Sequence, residues 1–199
     1  MAAELTRHEG GLTRDEEYEG VLFADVSFGD AAAGNCHFLG CSFVSASFDR
    51  GTLRKSRFTD SQLRDTRVVA TDLAETGWQD VTLAGVQAFS ASLRRVTFRA
   101  CKLDAVNFRS ARLTDVTFED CLLRDAEFGG ATLVRAGFAG CTLTGADFAR
   151  ARCEDVDLRG AELGITAGYD ALRGATIDRG QLVTLAPLLA RHLGITVTG

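Results

Sequence analysis

Residues 96–150 read VTFRA CKLDA VNFRS ARLTD VTFED CLLRD AEFGG ATLVR AGFAG CTLTG ADFAR, an unbroken run of five-residue units. Every unit holds Phe or Leu at its third place and Ala, Val or Cys at its first. The first and third residues of an extended segment share a face, so the large residue (i) and the small one (i−2) point the same way. A continuous strand would keep alternating in twos, and a helix would repeat every 3.6 residues. A strict five satisfies neither, so the chain must turn a corner after each unit.

The register extends well beyond this stretch. From Tyr18 to Leu163 there are 30 consecutive i positions without an insertion, and 24 of them are Phe or Leu. The exceptions are Tyr18, Ala33, Val68, Trp78, Ala88 and Cys153. All 29 of the i−2 positions from Val21 to Ala161 are Ala, Val, Cys, Thr, Ser or Gly, small enough for a crowded inner wall. Of the 13 Phe residues only Phe89 lies off the i column.

This pattern resembles the pentapeptide-repeat family. What the resemblance implies is an all-β solenoid: a right-handed quadrilateral β-helix of pentapeptide repeats, one repeat per side and four per coil, with i and i−2 lining the interior. Equivalent places on successive coils then stack at about 4.8 Å, and around 7 coils make a rod roughly 35 Å long. Between Leu93 and Phe148 the large residue alternates Leu and Phe without error. On four sides, this puts Phe98, Phe118 and Phe138 in one column and Phe108, Phe128 and Phe148 in the opposite one.

The expected organisation is a leader or cap over residues 1–17, the β-helix over 18–165, and a partial last coil with a short C-terminal helical cap over 166–199. Ala2 to His8 either form a helical turn or two over the first coil or belong to a disordered acidic leader. At the other end GITAGYDA shifts the register by one, and Leu172 with Ile177 add a partial coil. Asp178 and Gln181 have capping-box spacing and open a helix with Leu182, Leu185, Leu189 and Leu193 on one face. Pro187 predicts a kink, or two short helices meeting near Ala186. Ile195 and Val197 alternate like a strand.

Composition fits a single soluble domain of 199 residues, 46% hydrophobic with one proline. Nothing resembles a signal peptide or a membrane span, and the expected location is cytoplasmic. A net charge of −5 argues against direct nucleic-acid binding. Five of the six cysteines sit at i−2 and Cys153 at i, which predicts reduced, buried fillers. No metal-ligand spacing, phosphate loop or nucleophile elbow is present, so no catalytic residue, metal or cofactor is expected. The inner column turns to Gly51, Ser56, Ser61, Thr66, Thr71 and Thr76, whose hydroxyls must bond to turn carbonyls of their own or the adjacent coil.

Function must then lie on the outer surface. An acidic ridge comprises Asp60, Asp65, Asp80, Asp104, Glu119, Asp120 and Asp125, and a basic side carries Arg54, Lys55, Arg94, Arg95, Arg112, Arg135 and Arg152. In the repeat VQAFS, Ala88 takes the large place. The favoured reading is a bulge that tips Phe89 inward; the other leaves Phe89 outside beside Val69 as an apolar contact.

The resemblance is nearer to the MfpA and Qnr types, whose dimers imitate duplex DNA, bind DNA gyrase or topoisomerase IV and confer fluoroquinolone resistance. It implies a homodimer through the C-terminal element, here Leu182, Leu185, Leu189, Leu193 and Ile195, and a partner contact through the acidic ridge. A 35 Å length of B-DNA carries about 20 negative charges, whereas Val21 to Leu163 hold 19 acids and 17 bases. Mimicry would therefore depend on the ridge. The alternative is a structural or adaptor solenoid with another protein partner.

Overall fold

The computed structural model describes residues 5–7 and 11–198. They wind as a parallel β-solenoid of about eight turns, with one helix at the C-terminal end. Short strands pair in parallel with their equivalents on the next coil: Gln62–Arg64 with Thr82–Ala84, and Asp72–Ala74 with the start of Ser92–Arg99. We name the four sides of the coil after a core residue on each: Phe98, Leu103, Phe108 and Leu113. The Phe108 side is joined by single bridges such as Gln87 to Asn107. Ser92–Arg99 and Arg112–Glu119 instead run round a corner as longer strands, linking the Leu113 and Phe98 sides into one sheet.

The corner has a single backbone solution. Every fifth residue from Asp15 to Gly160 has φ between 49° and 79°. This is the left-handed region, which Gly, Asn and Asp enter most readily. Those three types hold most of the corner places, including Asp60, Asp65, Asp80, Asp120 and Asp125. The recurrent corner acids therefore have a conformational cause before any functional one.

Inside, the columns stack as the sequence predicts. Phe98, Phe118 and Phe138 lie with successive ring centroids 4.9 Å apart and planes within 12°. Phe108, Phe128 and Phe148 form the opposite stack at 5.3 and 4.8 Å. Edge contacts join the two, as between Phe128 and Phe138 at 6.1 Å. The hydroxyl column finds its carbonyls: Thr71 donates to the Phe48 carbonyl at 2.8 Å, and Ser61 to that of Thr59 at 2.9 Å. Thr76 accepts from the Trp78 indole at 3.1 Å. Among the described residues no buried side-chain nitrogen or oxygen lacks a partner. All six cysteines are free, and burial pushes the Cys36 and Cys41 thiols up and that of Cys153 to about 11.

Three expectations are corrected. Phe89 stays outside, 37% exposed, while Ala88 keeps the inner slot. Tipping Phe89 inward would turn the side chains of its repeat to the wrong faces, and the cavity left beside Ala88, Val68 and Trp78 is only about 20 Å³. Thr6–Arg7 is a strand that pairs with Val21 and Leu22, not part of a helix; it covers an edge that would otherwise be open. The other residues of the Ala2–His8 segment, apart from Leu5, lie outside the described residues.

The third correction concerns the C-terminal helix, which we call α1, Arg179–His192. It continues through Pro187 without a break. The proline removes the donor for the Val183 carbonyl, but Val183 is 71% exposed and water can take that bond. Beyond it Ile195 and Val197 form no strand. Gly194, at φ 72°, ends the helix as Ile195 N–H donates back to the Ala190 carbonyl at 2.8 Å and Gly194 N–H to that of Arg191 at 3.1 Å. This is a Schellman closure.

The register shift near GITAGYDA is seen directly. Asp147 still faces Ala167, a full coil further along, but Val156 faces Ala175, one place short of a coil. A 3₁₀ turn at Tyr169–Leu172 absorbs the difference.

Candidate functional site

The outward residues fall into columns along the corners. Asp60, Asp80 and Asp120 share the corner between the Phe98 and Leu103 sides; Asp65 and Asp125 share the next one, beyond the Leu103 side. All five are exposed, and among the described residues none has an ion-pair partner. The other two ridge acids differ. Arg124 Nε donates to Asp104 at 2.8 Å, and Arg99 Nε to Glu119 at 2.8 Å. The uncompensated part of the ridge is thus the five corner carboxylates on both edges of one side. A Cβ at Gly140 or Gly145 would collide with the carboxylate of Asp120 or Asp125, so the corner glycines leave those acids room to lean over the next coil.

The basic side is largely neutralised from within. Arg54 and Arg94 both bind Asp72, at 3.0 and 3.1 Å. Arg95 binds Glu75 at 2.6 Å, and Arg135 binds Asp115 at 2.6 Å. The guanidinium of Arg95 holds the Glu75 carboxyl below its ordinary range, as Arg135 does for Asp115. Arg112 and Arg152 have no such partner among the described residues.

Val69 and Phe89 occupy the same outward place on consecutive coils of the Phe108 side. Ala70 N–H donates to the Phe89 carbonyl at 3.2 Å. Val69 is half-buried, so the apolar contact centres on Phe89.

At the C-terminal end the capping box is present in full: Asp178 accepts from Gln181 N–H at 2.9 Å, and the Gln181 side chain accepts from Asp178 N–H at 2.8 Å. Gln181 also donates to the Leu158 and Ala161 carbonyls, at 2.5 and 2.7 Å, satisfying acceptors of the last coil. The sequence signals only the first of these roles. Leu185 is fully buried against the coil and Leu189 half-buried, whereas Leu182, Leu193 and Ile195 are 51%, 70% and 56% exposed. The predicted leucine face therefore divides into an anchor and an uncovered apolar edge.

His37 lies on the outer wall between Glu17 and Thr59, and His192 lies beside Tyr169; His8 is outside the described residues. Among the described residues no three His, Cys, Asp or Glu groups come together as a metal site, and no helix is long and apolar enough to cross a membrane.

The sequence matches the family model described as the pentapeptide repeat region over residues 31–99 and 91–167. The chain belongs to the pentapeptide-repeat family. Among curated proteins none matches it in sequence. Solved structures similar to this pentapeptide-repeat chain include a trypsin-treated variant of QnrB1, a plasmid-mediated fluoroquinolone resistance protein, at 18% identity and a TM-score of 0.44, covering 92% of this chain and 100% of that one. HetL, involved in heterocyst differentiation regulation in the cyanobacterium Nostoc sp. strain PCC 7120, is similar at 19% identity and a TM-score of 0.36, over 84% and 91% of the two chains. A pentapeptide repeat protein of the Arabidopsis thaliana thylakoid lumen is similar at 18% identity and a TM-score of 0.40, over 71% of each.

Proposed function

We propose that this pentapeptide-repeat protein is a non-enzymatic mimic of duplex DNA that binds DNA gyrase or topoisomerase IV and modulates the enzyme or protects it from quinolone-like poisons. The observation that carries the reading is the set of five uncompensated carboxylates, Asp60, Asp65, Asp80, Asp120 and Asp125, on the two edges of one side. Their left-handed backbone fixes them in rows, so little order is lost when a basic saddle closes on them. The rest of the coils from Val21 to Leu163 hold 14 acids and 17 bases, which confines the attraction to these rows.

The exposed apolar edge of Leu182, Leu193 and Ile195 supports a homodimer through the C-terminal element, which would double the length of the rod. Sedimentation tests it: a monomer at all concentrations refutes the dimer.

Gyrase supercoiling with and without a quinolone tests the main reading. Inhibition or rescue is expected at micromolar protein. Asp80→Asn with Asp120→Asn should remove the effect, since Asn keeps the left-handed corner and deletes the charge. Neither inhibition nor rescue in the wild type refutes it. That outcome would favour an adaptor solenoid binding another protein, the reading that exposed Phe89 supports.

A further inference from the structure

On the Leu113 side the outward place just after the core residue reads Arg14, Gly34, Arg54, Ala74 and Arg94 on successive coils. Strand register sets Ala74 opposite Arg54 on one coil and opposite Arg94 on the other. Both arginines reach Asp72, two places before Ala74, at 3.0 and 3.1 Å, and Ala74 is buried. Glu75, which follows Ala74, closes on Arg95 at 2.6 Å. The coil between Arg54 and Arg94 therefore carries two carboxylates, and both are paired.

Nearer the N-terminal end the same column is open. Gly34 faces Arg54 in register. Asp15 N–H donates to the Gly34 carbonyl as Asn35 N–H does to that of Arg54, both at 2.9 Å, which sets Arg14 one coil before Gly34. Arg14 and Arg54 thus flank Gly34 as Arg54 and Arg94 flank Ala74, but the places of the two acids hold Ala32 and Asn35. Arg14, Ala32, Gly34, Asn35, Arg54 and Lys55 line one hollow of about 480 Å³. Among the described residues Arg14 and Lys55 have no ion pair. Asp15, beside Arg14 in sequence, accepts from the Asn35 amide at 2.7 Å.

We propose that this hollow binds a phosphoryl group, the dianion of a phosphate monoester. It lacks the two carboxylates of the closed network, and a phosphate monoester brings about −1.5 to −2 charge at neutral pH. A carboxylate would supply only half of what is missing. Guanidinium forks and a lysine suit the phosphoryl oxygens, and the bare Gly34 backbone leaves them room against the wall. Arg54 gives Asp72 one terminal nitrogen and keeps its other donors. The hollow lies on the side of the rod opposite the acidic rows and does not rest on the topoisomerase reading.

Titration of the ¹⁵N-labelled full-length protein with phenyl phosphate, followed by the amide resonances of Gly34 and Asn35, tests the hollow. Saturable shifts are expected, with clearly weaker binding of dimethyl phosphate and of acetate, both monoanions, at matched ionic strength. Arg14→Gln should weaken phenyl phosphate binding by about fivefold, one exposed ion pair. Ala32→Asp should weaken it as much while raising the Tm, because the new carboxylate lies between Arg14 and Arg54 as Asp72 lies between Arg54 and Arg94. No saturable shift, equal affinity for acetate, or unchanged binding in both variants overturns the proposal. So does an equal loss in Arg152→Gln, a cation of the same side without an ion pair, which would indicate general charge attraction. A phosphoserine pentapeptide that binds tenfold more tightly than phenyl phosphate would assign the phosphoryl group to a modified protein, and equal affinity would assign it to a small phosphate ester.

Discussion

The two corners that bound the Phe98 side share one backbone conformation and use it in opposite ways. Along the corner that includes Arg95, the residues from Lys55 to Asp155 run Lys, Glu, Arg, Asp, Arg, Asp, and Glu75–Arg95 and Asp115–Arg135 are closed ion pairs. Along the corner that includes Asp80, two aspartates stand on consecutive coils, with Ala100 and Asp120 beyond and no cation between. Two like charges about 5 Å apart repel by roughly 0.8 kcal/mol even in bulk water. The left-handed turn requires only a residue that tolerates positive φ; the charge it carries is a separate variable. One corner uses that variable for cohesion between coils, and the other leaves it facing outward at a small cost in stability.

The largest test removes what both corners share. Phe118 lies between Asp115 and Asp120, is fully buried, and stacks on rings above and below. Phe118→Ala should destabilise the fold by about 3–5 kcal/mol, measured by urea unfolding. Both corners should lose hydrogen-exchange protection together; loss at only one would mean that each corner is held by its own side chains.

Next in size is the filling of the small cavity. Ala88→Val gives this place the residue type that Val68 supplies one coil earlier, and it should stabilise the protein by about 1 kcal/mol by urea unfolding. Corner chemistry should not change, which makes this variant a control for effects of core packing.

A smaller effect separates the corners by charge. Glu75→Gln should lower the Tm slightly, with the difference vanishing in about 0.5 M salt. Asp60→Asn with Asp80→Asn should shift the Tm the other way, upward, at low salt. Equal signs for the two changes would refute the division between a cohesive corner and an outward one.

The smallest expected effect is on pH. Backbone N–H groups of Gln181 and Gly160 hold the Asp178 carboxyl below its ordinary range. Its folded form is thus favoured above the ordinary carboxylate pKa, and that contribution is lost as pH falls through the depressed value. Circular dichroism should show α1 loosening in acid before the coils do, and Asp178→Asn should abolish that early step.

The interior is legible in the sequence because a closed tube allows only two side-chain directions, and every inner column from Val21 to Ala161 obeys them. The ends are less legible. Thr6–Arg7 becomes a strand only because an open edge at Val21 and Leu22 is available, a fact of tertiary pairing that local composition does not carry. Pro187 marks a helix break in isolation, but here the bond it removes faces water. The corner aspartates read first as charges, although their five-residue recurrence also encodes the left-handed turn. The contrast between Asp104, neutralised by Arg124, and Asp80, left alone, depends on which long side chains reach across a coil. One residue's place in the register cannot reveal that.

The slip in register near Tyr169 has a consequence for assembly. A solenoid that kept its phase to the last residue would offer a perfect template for another chain to add coils end to end, and so a route to fibres. Here the final coil is out of step, and the amide of one glutamine already occupies the Ala161 carbonyl, whose equivalents Cys121 and Cys141 each accept a backbone N–H from the coil that follows. The rod therefore carries its own terminator, and its finite length is written into a single missing residue.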